Sequence, residues 1–318
     1  MGCGLMDAAP TTPAVSSSTP TMLASSTLAP VETPTASLTP FLVGSSDTPS
    51  PTPEPTSENP VVFAVIGDYG SGNRTEGYVA DLVKSWLPDF IITTGDNNYP
   101  DGSEDTIDAT IGQFYHSFIY PYVGDFGEGA DQNRFFPSLG NHDWITDDAR
   151  PYLDYFTLPG NERYYDFAWG PVHFFALDSD SNEPDGVGRS SRQAEWLQAG
   201  LAQSSLPWKI VFMHHPPYSS GLHGSVTWMR WPFKDWGATA VMAGHDHSYE
   251  RLIVDDMLYF VNGLGGGGIY PFSNRLEGSQ VRYNDDYGAM RVEATSKKII
   301  FEFISRDGEV IDSYEIGK

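Results

Sequence analysis

Seven side chains in this sequence are of the types that hold hard or borderline metal cations: Asp68, Asp96, Tyr99, Asn141, His214, His245 and His247. Each stands one step past a short apolar run, in one of five turns: Asp68-Tyr69-Gly70, Gly95 to Tyr99, Gly140 to Asp143, Val211 to His214, and Gly244 to His247. Carboxylate, phenol, amide and imidazole donors in this mixture suit two adjacent divalent or trivalent cations, which polarise a substrate and lower the pKa of bound water. Any one of these turns alone is an ordinary strand-end turn. The signal is their recurrence in one chain.

The elements that must carry those turns follow from periodicity. Apolar runs at Val61 to Ile66, Phe90 to Thr94, Phe135 to Leu139, Lys209 to Met213 and Ala238 to Ala243 read as strands that end in the five turns. Thr75 to Trp86, Glu104 to Phe118 and Ser191 to Gln203 read as helices, the last with Trp196 and Leu197 on its apolar stripe. Tyr164 to Trp169 and His173 to Leu177 read as an antiparallel hairpin turned by Gly170-Pro171. Met257 to Val261, Ala289 to Ala294, Lys298 to Ser305 and Glu309 to Tyr314 are strand-like. Strands and helices that alternate, followed by strands, predict an α/β sandwich of two mixed β-sheets flanked by helices. In such sheets a site sits beyond the carboxyl ends of the strands.

Composition divides the 318 residues unevenly. Residues 1–60 contain no Lys or Arg and are dominated by Ser, Thr, Pro and Ala, which predicts a disordered, solvated tether. Residues 61–318 hold the apolar runs and form the expected catalytic domain. The net charge is -24, and five of the acids lie in the tether, which leaves -19 on the domain. That balance argues against nucleic acid and anionic membrane as partners, and a protein so acidic would meet an anionic substrate through bound cations. The longest apolar run is too short to span a bilayer, and a lone cysteine allows neither an intrachain disulfide nor a Cys-based zinc site. Cys3, beside Gly2 and Gly4 and followed by the long tether, resembles the lipid-anchored cysteine of a mature bacterial lipoprotein whose apolar signal lies upstream. The other reading is an ordinary surface cysteine. The first predicts an extracytoplasmic, secreted or cell-surface protein.

The order Asp-x-Gly, Gly-Asp-x-x-Tyr, Gly-Asn-His-Asp, Val-x-x-His and Gly-His-x-His resembles the five-block signature of purple acid phosphatases, a branch of the calcineurin-like metallophosphoesterases. The resemblance covers the chain from Val61 onward and is to the small, single-domain form. Most metallophosphoesterases carry a histidine two residues after the first aspartate. Here that position is Gly70, and Tyr99 follows Asp96 by three. The resemblance implies that Asp68, Asp96, Tyr99 and His247 hold Fe(III), and that Asp96 bridges to a divalent Fe, Zn or Mn held by Asn141, His214 and His245. It further implies hydrolysis of phosphate monoesters by a metal-bound hydroxide, with small phosphate esters as substrates. His142 and His223 resemble the family's two outer-sphere histidines, which contact the phosphate and protonate the leaving group. Asp143 is expected to orient a histidine.

His116 and His173 read as packing or surface residues, and His215 as pointing away from His214 because side chains alternate along extended backbone. Glu250-Arg251 is expected to buttress its loop and to take no part in the chemistry. Gly263 to Gly268 matches G-x-G-x-x-G but is followed by Tyr270-Pro271 in place of a helix, so it reads as a flexible rim loop. The alternative activity is a phosphodiesterase or nucleotidase on the same two metals. A metal-keeping surface protein without catalysis is the third reading, and His142 beside the ligands argues against it.

Overall fold

The computed structural model describes residues 59–318, so the expected tether up to residue 58 and the Cys3 anchor lie outside the described residues. Thirteen strands occur among them. In chain order they are β1 (Val61–Ile66), β2 (Phe90–Thr93), β3 (Phe135–Pro137), β4 (Tyr165–Trp169), β5 (Val172–Ala176), β6 (Trp208–Phe212) and β7 (Ala240–Ala243). These are followed by β8 (Tyr249–Val254), β9 (Met257–Asn262), β10 (Ser279–Tyr283), β11 (Gly288–Ala294), β12 (Lys298–Ser305) and β13 (Val310–Gly317). They form a six-stranded sheet of order β13-β12-β11-β1-β2-β3 and a seven-stranded sheet of order β10-β8-β9-β7-β6-β5-β4. Both sheets are mixed: β1, β2 and β3 run parallel, as do β5, β6, β7 and β9, while the flanking strands are antiparallel. The α/β sandwich of two mixed sheets read from the sequence is the fold observed.

Side-chain alternation decides which face each apolar residue serves. On β5, Phe174 faces the core between the sheets, while its neighbour Phe175 belongs to a second apolar cluster on the other side. Between the sheets, Phe63 of β1 meets Phe174 edge-on at 4.9 Å, and Phe90 of β2 lies 5.2 Å from Phe174. Tyr249 of β8 stacks on Phe303 of β12 at 4.2 Å. Aromatic pairs in such edge and offset arrangements add about 0.5–1.5 kcal/mol each beyond the area they bury. The second cluster is covered by the helix Arg192–Gln203, whose Ala194, Leu197 and Leu201 recur at helical spacing and are buried.

Capping sets where the helices start. Asn73 accepts from Thr75 N and Glu76 N at the head of the helix Arg74–Ser85, and Ser191 accepts from Ala194 N at the head of Arg192–Gln203. The Asn73 amide also donates to Gly266 O, which ties this helix start to the glycine-rich segment. The stretch expected to be one helix from Glu104 to Phe118 is instead interrupted by a π-helical segment, Asp108–Gly112. Within it the Thr110 hydroxyl donates to Asn98 Oδ1, and Thr106 donates to the same oxygen, which ties this helix to the turn bearing Asp96 and Tyr99. Such bulges are common beside functional sites.

Candidate metal centre

The parallel strands β1, β2 and β3 of one sheet, and β6 and β7 of the other, all deliver their following turns to one end of the sandwich. The turns are sewn to each other through the backbone: Asp68 N–H donates to Gly95 O, Tyr99 N–H to Gly70 O, and Gly244 N–H to His214 O. Asp68, Asp96 and His245 all have left-handed backbone, with φ of 52°, 53° and 70°. For residues other than glycine this conformation costs about 1–2 kcal/mol each, so the surrounding bonds must enforce it.

Two donor groups result. In the first, the Tyr99 hydroxyl lies 3.0 Å from Asp96 Oδ2, 3.4 Å from Asp68 Oδ1 and 3.1 Å from His247 Nε2. In the second, His214 Nε2 lies 3.0 Å from Asn141 Oδ1 and 3.1 Å from His245 Nδ1. Asp96 reaches both, because its Oδ1 is 3.4 Å from His214 Nε2 while its Oδ2 faces Tyr99. His214 Nδ1 donates to Thr94 O at 2.8 Å, which leaves the Nε2 lone pair aimed into the site.

The chemistry of this donor set fits cations. Asp68 and Asp96 are 0 % and 2 % exposed, and among the described residues neither carboxylate pairs with a Lys or Arg. Buried carboxylates of this kind are paired or hold metals. The titration shifts show the same imbalance. Although burial pulls the His214 imidazole down, the Asp96 and Asp68 carboxylates raise it above its usual range. Burial and then the two carboxylates push the Tyr99 phenol well up, so it ionises only beside a strong cation. His245, half-buried among histidines, is pushed strongly down and stays a neutral donor.

All seven residues expected as ligands are therefore brought together. His142 Nδ1 bonds Pro100 O, its N–H donates to Asp96 Oδ1, and its Nε2 is 4.0 Å from Asp96 Oδ2, at the edge of the site. His223 is exposed, with its ring 4.5 Å from that of His245. Gly70 explains the missing histidine, since a Cβ there would fall 1.7 Å from Asn97 O.

Three expectations need correction. Asp143 orients no histidine: its carboxylate accepts from Asn97 N, Asn97 Nδ2 and Gly140 N, and so locks two ligand-bearing turns together. His215 does not point away. Strand β6 ends at Phe212, so alternation no longer applies, and the His215 ring lies 4.5 Å from His245 with Nδ1 3.0 Å from Ser179 Oγ. Glu250 and Arg251 buttress their surroundings through separate partners, Glu250 gripping Ser220 of the adjoining loop and Arg251 binding Asp312. The Gly263 to Gly268 segment is a packed backing to the first group, with Gly265 N–H donating to Gly67 O and Gly267 N–H to Asp68 O.

Sequence reasoning also missed Tyr270, whose ring stacks on His247 at 4.0 Å with 9° between the planes. Its only signal is an aromatic residue after a glycine run.

The profile of the calcineurin-like phosphoesterase family matches residues 54–249. The chain belongs to that family. Within it this phosphoesterase is of the purple acid phosphatase type, as its five turns and its relatives agree. It is similar to purple acid phosphatase 22 of Arabidopsis thaliana, 29% identical over 211 residues that cover 62% of this chain and 46% of that protein. It is similar to purple acid phosphatase 3 of the same plant, 24% identical over 306 residues that cover 81% of this chain and 78% of that one. The chain thus spans about half the length of the first relative and most of the second. Among solved structures, a purple acid phosphatase from yellow lupin (Lupinus luteus) seeds shares the fold with a TM-score of 0.65 and 19% identity, covering 83% of this chain and 55% of that one.

Proposed function

We propose that this phosphoesterase is an acid phosphatase that hydrolyses phosphate monoesters at a dinuclear Fe(III)–M(II) centre. Asp68, Asp96, Tyr99 and His247 would hold the iron, and Asn141, His214 and His245, with Asp96 shared, the divalent Fe, Zn or Mn. The observation that carries the reading is Asp96, which directs one oxygen to the phenol of Tyr99 and the other to the imidazole of His214. Two cations at these groups supply charge for the phosphate oxygens and a lowered pKa for water.

The chain's own residues supply the rest. His142, with Nδ1 engaged by Pro100 O, offers Nε2 to a phosphate oxygen. His223, exposed beside His245, is the acid for the departing alkoxide. Asp143 keeps the Asp96 and Asn141 turns in register. The test is hydrolysis of an aryl phosphate monoester against the matching diester from about pH 4 to 9, with metals assayed. A large monoester preference with an acidic optimum supports the reading, and a diester preference replaces it with the phosphodiesterase one.

We also infer that residues 1–60 tether the domain of residues 61–318 outside the cytoplasm through a lipid on Cys3; composition supports this reading. Incorporation of labelled palmitate into the full chain, lost in Cys3→Ala, is the expected result. Equal labelling of the two, or none, contradicts it.

A further inference from the structure

His223 stands on a surface loop with glycine at Gly221 and Gly224, and nothing about an exposed imidazole fixes its place by itself. The structure fixes it from beneath. Asp246, buried between His245 and His247 in sequence, spends its carboxylate on this loop: Oδ1 accepts the His223 N–H at 2.7 Å, and Oδ2 accepts the Gly224 N–H at 3.1 Å and the Ser219 hydroxyl. Ser219 Oγ in turn accepts the Gly221 N–H at 2.9 Å. The approach is so close that a Cβ on Gly221 would lie 2.2 Å from the Asp246 carboxyl carbon. A second buried carboxylate, Glu250, holds Ser220 through its N–H at 2.7 Å and its hydroxyl at 2.6 Å. Carboxylates that accept several such bonds are strong, directional anchors.

We propose that Asp246, acting with Ser219, is a positioning residue that presents the His223 ring to the ester oxygen of a phosphate monoester. The proposal rests on the phosphatase reading. One turn then does two things: His245 and His247 face the metal groups, while Asp246 between them sets where the leaving-group acid stands. In the step concerned, the P–O ester bond breaks with its electron pair on the leaving oxygen. That oxygen takes a proton from the His223 imidazolium, and the water that forms the new P–O bond releases a proton to solvent.

The experiment compares wild type, His223→Ala, Asp246→Asn, Ser219→Ala and Ser219→Ala/His223→Ala on aryl phosphates of graded leaving ability and on an alkyl phosphate, with metal content assayed for each. His223→Ala is expected to slow poor leaving groups about 10²-fold more than good ones. Asp246→Asn and Ser219→Ala are expected to show the same selective loss, about tenfold, with both metals retained. Ser219→Ala should add nothing once His223 is gone. Should Asp246→Asn shed metal, Ser219→Ala decides alone. Equal losses on every leaving group, or losses that add to those of His223→Ala, overturn the positioning role. A metal-loaded wild type inert to every ester overturns the phosphatase reading itself.

Discussion

The two halves of the candidate centre are built from the same kind of strand-end turn yet differ in charge. One half offers the carboxylates of Asp68 and Asp96 and the phenol of Tyr99, with a single imidazole from His247. The other offers the neutral amide of Asn141 and the imidazoles of His214 and His245, with His215 packed behind. Anionic oxygen donors favour a hard, highly charged ion, and imidazoles a borderline divalent one. Among the seven candidate ligands, Asp96 is the side chain that faces donors of both halves. The difference teaches that one edge of the fold can sort anionic from neutral donors around a shared carboxylate without building two separate clusters.

Removing the shared residue should erase the distinction. Asp96→Ala is expected to lose both metals and to lower turnover on the order of 10³-fold or more, read by elemental analysis and rate. A variant that keeps both metals would break the comparison. Next in size are the single-half changes. Tyr99→Phe should lose the purple colour that a Tyr99 phenolate on Fe(III) would give, while the divalent ion stays bound; His214→Ala should lose the divalent ion and keep that colour. Identical losses in the two variants would mean that the halves are one site.

Asp143→Asn should weaken metal affinity about 10- to 100-fold, measured by competition with a chelator, because the carboxylate that joins the Asn97 and Gly140 turns is gone. The same residue predicts a pH effect. Burial, and then the charge of Asp96, raise Asp143 from 3.8 to about 7. The folded, metal-free chain therefore holds this proton between about pH 4 and 7 while the unfolded chain has released it, so stability falls as pH rises through that window. Metal loading screens Asp96 and should flatten the fall, which melting temperatures with and without metal would check. The smallest change is Glu76→Gln. Burial raises the Glu76 carboxyl well above the usual range, and its Oε2 accepts from Ser71 N and Gly72 N, which a glutamine oxygen can also do. Thermal stability should stay within about 1 kcal/mol of wild type.

Much of this was legible in the sequence because each ligand-bearing turn follows an apolar run, and the seven ligand candidates converge as that pattern implies. Strands β8 and β10 were not legible. The first opens with Tyr249-Glu250-Arg251, whose charges are buried against Ser220 and Asp312, and the second, Ser279–Tyr283, is a largely polar edge strand. The braces were hidden for a related reason: Asp143 and Asp246 accept from the backbone N–H groups of Asn97 and His223, far away in sequence, and local spacing carries no trace of such partners. His215 was misread because strand alternation was extended past the end of β6.

The most direct test of two unlike halves is elemental analysis of the purified protein together with its visible spectrum, for wild type and Tyr99→Phe. The account predicts one iron and one divalent ion per chain, a purple colour in wild type, and its loss in the variant with the divalent ion retained. Two identical divalent ions in a colourless wild-type protein would contradict it.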